Sequence, residues 1–208
     1  MPLTDADNSV MDSIINRYPR SRSAIMPLLH FAQSKDGYVT PESIEVIAKK
    51  LNLETAEVSA VATFYTQYKR KPVGEYHVGV CTNTLCAVMG GDAIFEALKD
   101  HLGIENDEVT ADGKVSLEHI ECNAACDYAP VVMANWEFYD NQTVESAKEL
   151  VDSMRAGNPK PPTRGPNRLV TYKEASAVLA GLNDGLAHEG VQAGEPTLLG
   201  LKLSKEGK

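Results

Sequence analysis

All four cysteines of the 208-residue chain fall into two close pairs, Cys81-x4-Cys86 and Cys122-x3-Cys126. Thiolates are soft ligands suited to iron–sulfur clusters and zinc. A [2Fe–2S] cluster takes four thiolates, two per iron, and two such pairs supply them. A structural zinc site also takes four cysteines, usually across shorter spacers and with a Cys-x2-Cys knuckle. A thioredoxin-type thiol enzyme needs a Cys-x-x-Cys motif, which this sequence lacks. A Rieske centre needs paired histidines, and none of His30, His77, His101, His119 or His188 sits beside a cysteine in such a pattern. Spacing alone therefore leaves a cluster, a zinc site or four inert buried thiols.

The elements that must position these pairs follow from periodicity. Tyr76 to Val80 reads as a strand ending at Cys81, and Val115 to Glu121 as a strand ending at Cys122. Loops leaving neighbouring strand ends can bring the two pairs to one pocket. Thr82, Asn83 and Thr84 in one loop, and Asn123, Ala124 and Ala125 in the other, are small enough to let backbone N–H groups reach bound sulfur. Gly90-Gly91 opens a helix with Ile94, Phe95, Leu98 and Leu102 on one face, and Asp112-Gly113 is a turn. Two short strands fold around Asn135-Trp136, and a last helix spans about 144–154. Strand, helix, strand, hairpin, helix is the order of a thioredoxin-like domain.

The first seventy residues read as a helical bundle. Val10, Met11, Ile14, Ile15 and Tyr18 form one apolar stripe, and Ile25, Leu28, Leu29 and Phe31 a second that Gly37 closes. Thr40-Pro41 caps a third helix carrying Ile44, Ile47, Ala48 and Leu51, and Val58, Val61 and Ala62 mark a fourth. Residues 1–70 hold 8 basic and 8 acidic side chains, which excludes the concentrated positive charge that phosphate binding needs. Residues 71–157 hold 5 basic and 16 acidic ones, so the cysteine-bearing part is also no nucleic-acid surface. Of Tyr18, Phe64, Tyr65, Tyr128 and Trp136, aromatics as a class belong in the core. Phe64-Tyr65, ending a helix near a domain boundary, is the candidate surface anchor. The N-terminus, Met1 to Asp7, is acidic without an apolar core, which predicts neither a signal nor a transit peptide. No apolar run approaches the ~20 residues of a membrane span, so direct membrane insertion is not expected.

These observations predict an α+β chain in three parts. Residues 1–71 form the helical bundle domain, 72–157 the thioredoxin-like domain and 158–208 a Pro/Gly-rich C-terminal extension. Pro159, Pro161, Pro162 and Pro166 predict a stiff linker. Beyond it, a short helix from about Tyr172 to Leu182 and the cluster Leu198, Leu199, Leu201 and Leu203 suit a strap, held away from the preceding domain, that orders on docking to a neighbour.

The sequence also resembles a known family. Arg17-Tyr18-Pro19, Pro27-Leu28-Leu29, Val61-Ala62-Thr63-Phe64-Tyr65, Pro72-Val73-Gly74 and Cys81-Thr82-Asn83-Thr84-Leu85-Cys86 carry the likeness. So do Gly90-Gly91, Asp112-Gly113, Glu121-Cys122, Ala125-Cys126 and Ala129-Pro130. Over about residues 10–155 the chain resembles the E subunits of bacterial NADH-quinone oxidoreductases, the 24-kilodalton-type subunits of respiratory complex I, thioredoxin-like [2Fe–2S] ferredoxins. The resemblance implies one [2Fe–2S] cluster on Cys81, Cys86, Cys122 and Cys126, with no catalytic residue of the chain's own. It implies single-electron exchange with FMN in an adjacent flavin/NADH-binding subunit, so that FMN and NADH sit on that partner. It further implies contact with the large iron–sulfur subunit of the peripheral arm, on the cytoplasmic side of the inner or plasma membrane. No hydride chemistry is expected of the isolated chain, although the whole assembly is a proton-translocating oxidoreductase. The equivalent subunit of an NAD-linked hydrogenase or formate dehydrogenase is the nearest alternative, and a zinc-stabilised four-cysteine binding module the alternative of another class. Where the family usually has Leu-Gly after the third cysteine, this chain has Asn123-Ala124.

Overall fold

Local caps set most helix boundaries in the computed structural model, which describes residues 4–191 and 193–207. Met1 to Leu3 of the acidic start, Gln192 and Lys208 lie outside the described residues. Two units emerge, residues 1–73 with 171–184, and 74–170 with 185–208.

In the first unit, α1 (Asp5–Ile15) starts well before the apolar stripe at Val10. Thr4 Oγ1 accepts from the Asp7 N–H while the Asp7 carboxylate accepts from the Thr4 N–H, a reciprocal cap that fixes the start. Lys35 adds an ion pair to Asp7 at 2.6 Å. Helix α2 (Ile25–Asp36) ends at Gly37, whose φ of 81° is left-handed and suits glycine. Thr40 caps α3 (Pro41–Leu51), and α4 (Thr55–Phe64) follows. Met11, Ile14, Leu28, Leu29, Phe31, Ile47 and Val58 are fully buried among these helices. Each such side chain contributes about 1.5–3 kcal/mol relative to exposure.

The extension supplies this unit with one more helix, α8 (Tyr172–Leu179). It packs on α2. Gln33 Nε2 donates to Ser176 Oγ at 3.3 Å, Arg17 Nη1 to Gly181 O at 2.9 Å and Lys173 Nζ to Lys35 O at 2.8 Å. Residues 171–184 are thus a packed part of the helical unit rather than a flexible strap, because Ala175, Ser176 and Ala180 are buried against it.

The second unit is built on a mixed five-stranded sheet, order β2-β3-β1-β4-β5. Its strands are β1 (Tyr76–Cys81), β2 (Glu108–Val109), β3 (Val115–Ile120), β4 (Val132–Ala134) and β5 (Glu137–Tyr139). Among the described strands β1 and β3 run parallel and the other pairs antiparallel. The crossover between them carries α5 (Thr84–Val88) and α6 (Gly91–Leu102), and α7 (Val144–Arg155) packs beside α6 and on β3. Helices on a mixed sheet make the α+β class expected. Val78, Val80, Leu98, Val115, Leu117, Val132 and Leu150 form its core.

A two-residue turn joins β4 to β5 with positive φ at both Asn135 (48°) and Trp136 (75°). Such a turn matches the strand twist but strains any residue larger than glycine. Asn135 is held there from three sides. Its Oδ1 accepts from the His77 N–H at 2.7 Å, and its Nδ2 donates to Val170 O at 2.8 Å and Glu75 O at 3.3 Å.

Residues 158–170 run along β5, so the proline-rich segment is not a spacer standing off this domain. The Thr163 N–H donates to Phe138 O at 2.9 Å, Tyr139 Oη to Lys160 O at 2.8 Å, and Leu169 enters the core. Prolines suit this position, since an edge segment leaves N–H groups of its outer side unused. Helix α9 (Glu195–Lys205) ends the chain with Leu198, Leu199, Leu201 and Leu203 exposed. The five-residue α5 and the two-residue β2 were not legible in the sequence, being too short to show a period. Among the described residues no helix is long and apolar enough to cross a membrane.

Candidate metal centre

The parallel pairing of β1 and β3 decides where the cysteines meet. Cys81, last residue of β1, lies in register with Ile120, last residue of β3. Cys122 follows two residues later, so both cysteine loops leave the same end of the sheet. Asn83 Nδ2 donates to Ile120 O at 3.1 Å and ties one loop to the other. The Cys81 N–H donates to Val131 O at 3.2 Å, fixing the strand end from its other side.

Cys86 sits on α5 and is buried with Cys81 in a small apolar cluster of Ala125, Ala129 and Val131, with Phe138 packed against it. Cys122 and Cys126 are exposed, their Sγ atoms 3.8 Å apart, and all four thiols are free. Burial pushes the Cys86 thiol up to about 11, and the nearby Cys81 and Cys126 add to the effect. The Cys126 thiol is raised first by its hydrogen bond with Cys122, then by burial and by Cys122 and Cys81. Each pair thus feels the other, as thiols round one corner must. Neutral thiols lose protons when they ligate, so loading such a site releases acid. The four stand as two pairs, and among the described residues no three His, Cys, Asp or Glu side chains gather tightly enough to hold a single metal ion.

The loops themselves are shaped for close approach. A Cβ on Gly91 would overlap Cys81 O and lie 2.9 Å from Cys86 O, so only glycine lets α6 pack under this loop. Gly90 has φ of 111° and serves the turn into α6. Ala124 is left-handed at φ 53°, which points its N–H at Cys122 Sγ, 3.4 Å away. A glycine at this place would adopt the same backbone conformation without a Cβ. Asn123 Nδ2 is buried with no hydrogen-bond partner. An orphaned donor beside a ligand-type cysteine is costly unless an acceptor occupies the site.

A family model, thioredoxin-like [2Fe–2S] ferredoxin, matches residues 11–155. The chain belongs to the thioredoxin-like [2Fe–2S] ferredoxin family. Within it, the NADH-quinone oxidoreductase E subunit of Mycobacterium tuberculosis (strain ATCC 25618 / H37Rv) is 61% identical over 194 residues, 93% of this chain and 77% of the relative. An alignment of that length runs well into the C-terminal extension. The corresponding E subunit of Rickettsia bellii (strain RML369-C) is 43% identical over 150 residues, 71% of this chain and 90% of the relative. In fold, the chain is similar to an NAD+-reducing [NiFe]-hydrogenase in its air-oxidised state. The TM-score is 0.58 at 20% identity, over 65% of this chain and 23% of that one.

The residues of this ferredoxin unit fit the group its family carries. Four free thiols in two pairs, the Ala124 N–H aimed at Cys122 Sγ and the unpartnered Asn123 amide suit sulfur-rich iron. Sequence reasoning placed the cysteines at strand ends but did not find Asn123 as a donor, since nothing in its neighbours' types predicts its burial. It gave Gly91 only a helix-opening role. The aromatics divide. Phe64 is 77% exposed and Tyr65 is also exposed, as expected of the candidate anchor; Tyr18 is exposed too, so the core reading fails for it, while Tyr128 and Trp136 are half-buried.

Proposed function

We propose that Cys81, Cys86, Cys122 and Cys126 hold one [2Fe–2S] cluster and that the chain is the electron-transfer subunit of an NADH-quinone oxidoreductase. The observation that carries this is the convergence of both cysteine pairs at the ends of the parallel strand pair β1 and β3. The mycobacterial relative's name and its 61% identity support the choice of assembly. When bound, such a cluster supplies one-electron exchange. The protein's part is to hold four thiolates, donate hydrogen bonds from Asn123 and Ala124 and exclude water around Cys81 and Cys86.

In this reading FMN and NADH belong to an adjacent subunit, the large iron–sulfur subunit of the peripheral arm is a second neighbour, and the assembly works at the cytoplasmic face of its membrane. Leu85, Val88 and Met89 support the presence of a partner near the cluster. They stand exposed on and just after α5, Val88 at 80%, beside the buried Cys86. Apolar side chains beside an electron-transfer site suit a docked protein that closes the site to water.

The test is anaerobic purification with iron, sulfide and zinc assays and EPR of the reduced protein. About two irons and two sulfides per chain with a rhombic signal is expected. Stoichiometric zinc in colourless protein overturns the cluster. Co-purification with a flavoprotein that oxidises NADH and reduces quinone supports the assembly proposed, and recovery with a hydrogenase or formate dehydrogenase refutes it.

A further inference from the structure

The C-terminal extension makes a set of contacts that its position in sequence does not foretell, and they gather on the second cysteine loop. Arg164 is the centre of them. Its Nη2 donates to Asp140 at 2.6 Å, and its Nη1 lies 3.5 Å from Asp127, the residue next to Cys126. Its guanidinium carbon stands 5.1 Å from the Phe138 ring centroid and 5.7 Å from that of Tyr128. The Arg164 and Asp140 side chains are only 13% and 8% exposed, so this pair is well withdrawn from water and not a surface ion pair of small worth.

A second stretch of the extension closes over the same loop. The Gly165 N–H donates to Val191 O at 2.9 Å, joining the two stretches. The Glu195 N–H donates to Tyr128 Oη at 3.2 Å, and Thr197 Oγ1 to Asp127 Oδ2 at 3.1 Å. Gly194 presses on the Tyr128 ring so closely that a Cβ there would overlap it. Asp127 and Tyr128 are therefore gripped from both stretches, while Cys122 and Cys126 beside them are exposed. The family match ends at residue 155, so Arg164, Gly194, Glu195 and Thr197, which do the gripping, lie outside the common domain.

We propose that the extension is an intramolecular clamp on the Cys122–Cys126 loop, with Arg164 as its central positioning residue. The inference rests on the reading that these cysteines hold a [2Fe–2S] cluster. Two consequences follow. An exposed ligand loop that is gripped opens less often, so iron leaves it more slowly. The Arg164 charge also offsets the carboxylates of Asp127 and Asp140 beside an anionic site. Its loss disfavours the added electron and lowers the potential.

The experiment compares full-length wild type, R164K, R164Q and G194A, all cluster-loaded, by iron release to an excess of chelator and by EPR-monitored redox titration. R164Q is expected to release iron at least several-fold faster and to titrate at lower potential. R164K, which keeps charge but not the guanidinium beside the two rings, should hold the wild-type potential while releasing iron at an intermediate rate. G194A, which displaces the second stretch and leaves Arg164 in place, should speed release and leave the potential unchanged. Wild-type release rates in both R164Q and G194A overturn the clamp. If R164Q does not fold, G194A decides alone, and an unchanged rate there is likewise fatal. Wild-type protein that holds no iron or sulfide condemns the cluster reading instead, so the two failures are told apart.

Discussion

Adjacent glycines at the start of α6 allow the close approach round the cysteine loop to be tested by one methyl group at a time. In G91A the new Cβ overlaps Cys81 O and lies 2.9 Å from Cys86 O and 3.0 Å from Cys86 C. All three are backbone atoms of residues proposed as ligands, and no side-chain rotation relieves them. Either α6 or the Cys81–Cys86 loop must shift, at a cost of about 1–3 kcal/mol for overpacking. In G90A no atom lies within 4 Å of the new Cβ, so the cost comes only from the backbone φ of 111°. A non-glycine residue held in such a region costs about 1–3 kcal/mol. The two variants should lose similar stability, and for a unit of this size each kcal/mol lowers Tm by roughly 4 °C. They should part on the cluster. G91A should change the EPR g-values and speed iron release to a chelator, whereas G90A should keep both. Equal thermal losses with wild-type spectra and release rates in G91A would refute the idea that this glycine shapes the ligand loop.

Three further outcomes can be checked. N123L removes a buried donor without an acceptor in the protein. Its cluster should stay bound but titrate at lower potential, for want of a hydrogen bond to sulfur, and a superimposable titration argues against that bond. A124G relieves the left-handed φ of 53°, a strain worth about 1–2 kcal/mol, against roughly 0.4–1 kcal/mol of added unfolded-chain freedom. A gain in unfolding free energy of roughly 0–1.6 kcal/mol is expected on these terms, and a clear loss would mean the alanine methyl has a packing role. His30 is buried, and burial lowers its pKa from 6.5 to about 4. The unfolded chain thus binds its proton first, and the stability owed to neutral His30 is full above pH 6.5 and lost as pH falls toward 4. Between pH 6.5 and 5 the loss is roughly 1–2 kcal/mol at 1.36 kcal/mol per unit, read by denaturant unfolding. H30L should flatten that slope, and an unchanged slope would assign it to another group.

Much of the chain was legible one element at a time. Thr40-Pro41, Gly37 and the apolar stripes of α2, α3 and α6 report on their own neighbours along the chain, and a cap or a period needs nothing more distant. The pairing of four cysteines at two strand ends was equally local. Even the start of α1 was written in Thr4 and Asp7, though the apolar stripe drew attention to Val10 instead.

What tertiary structure alone decided is which surfaces meet. Periodicity marked Ala175 as apolar but not that α2 covers its helix, and prolines marked 159–166 as stiff but not that β5 lies alongside. Asn123 gained its significance from burial without an acceptor, and Gly91 from the Cys81 carbonyl above it. Arg164 gained its own from carboxylates 24 and 37 residues back along the chain. Caps and periods act over one or two turns, whereas these contacts close loops of tens of residues. The entropy of closing them is repaid by the whole packed unit, so no local pattern announces them.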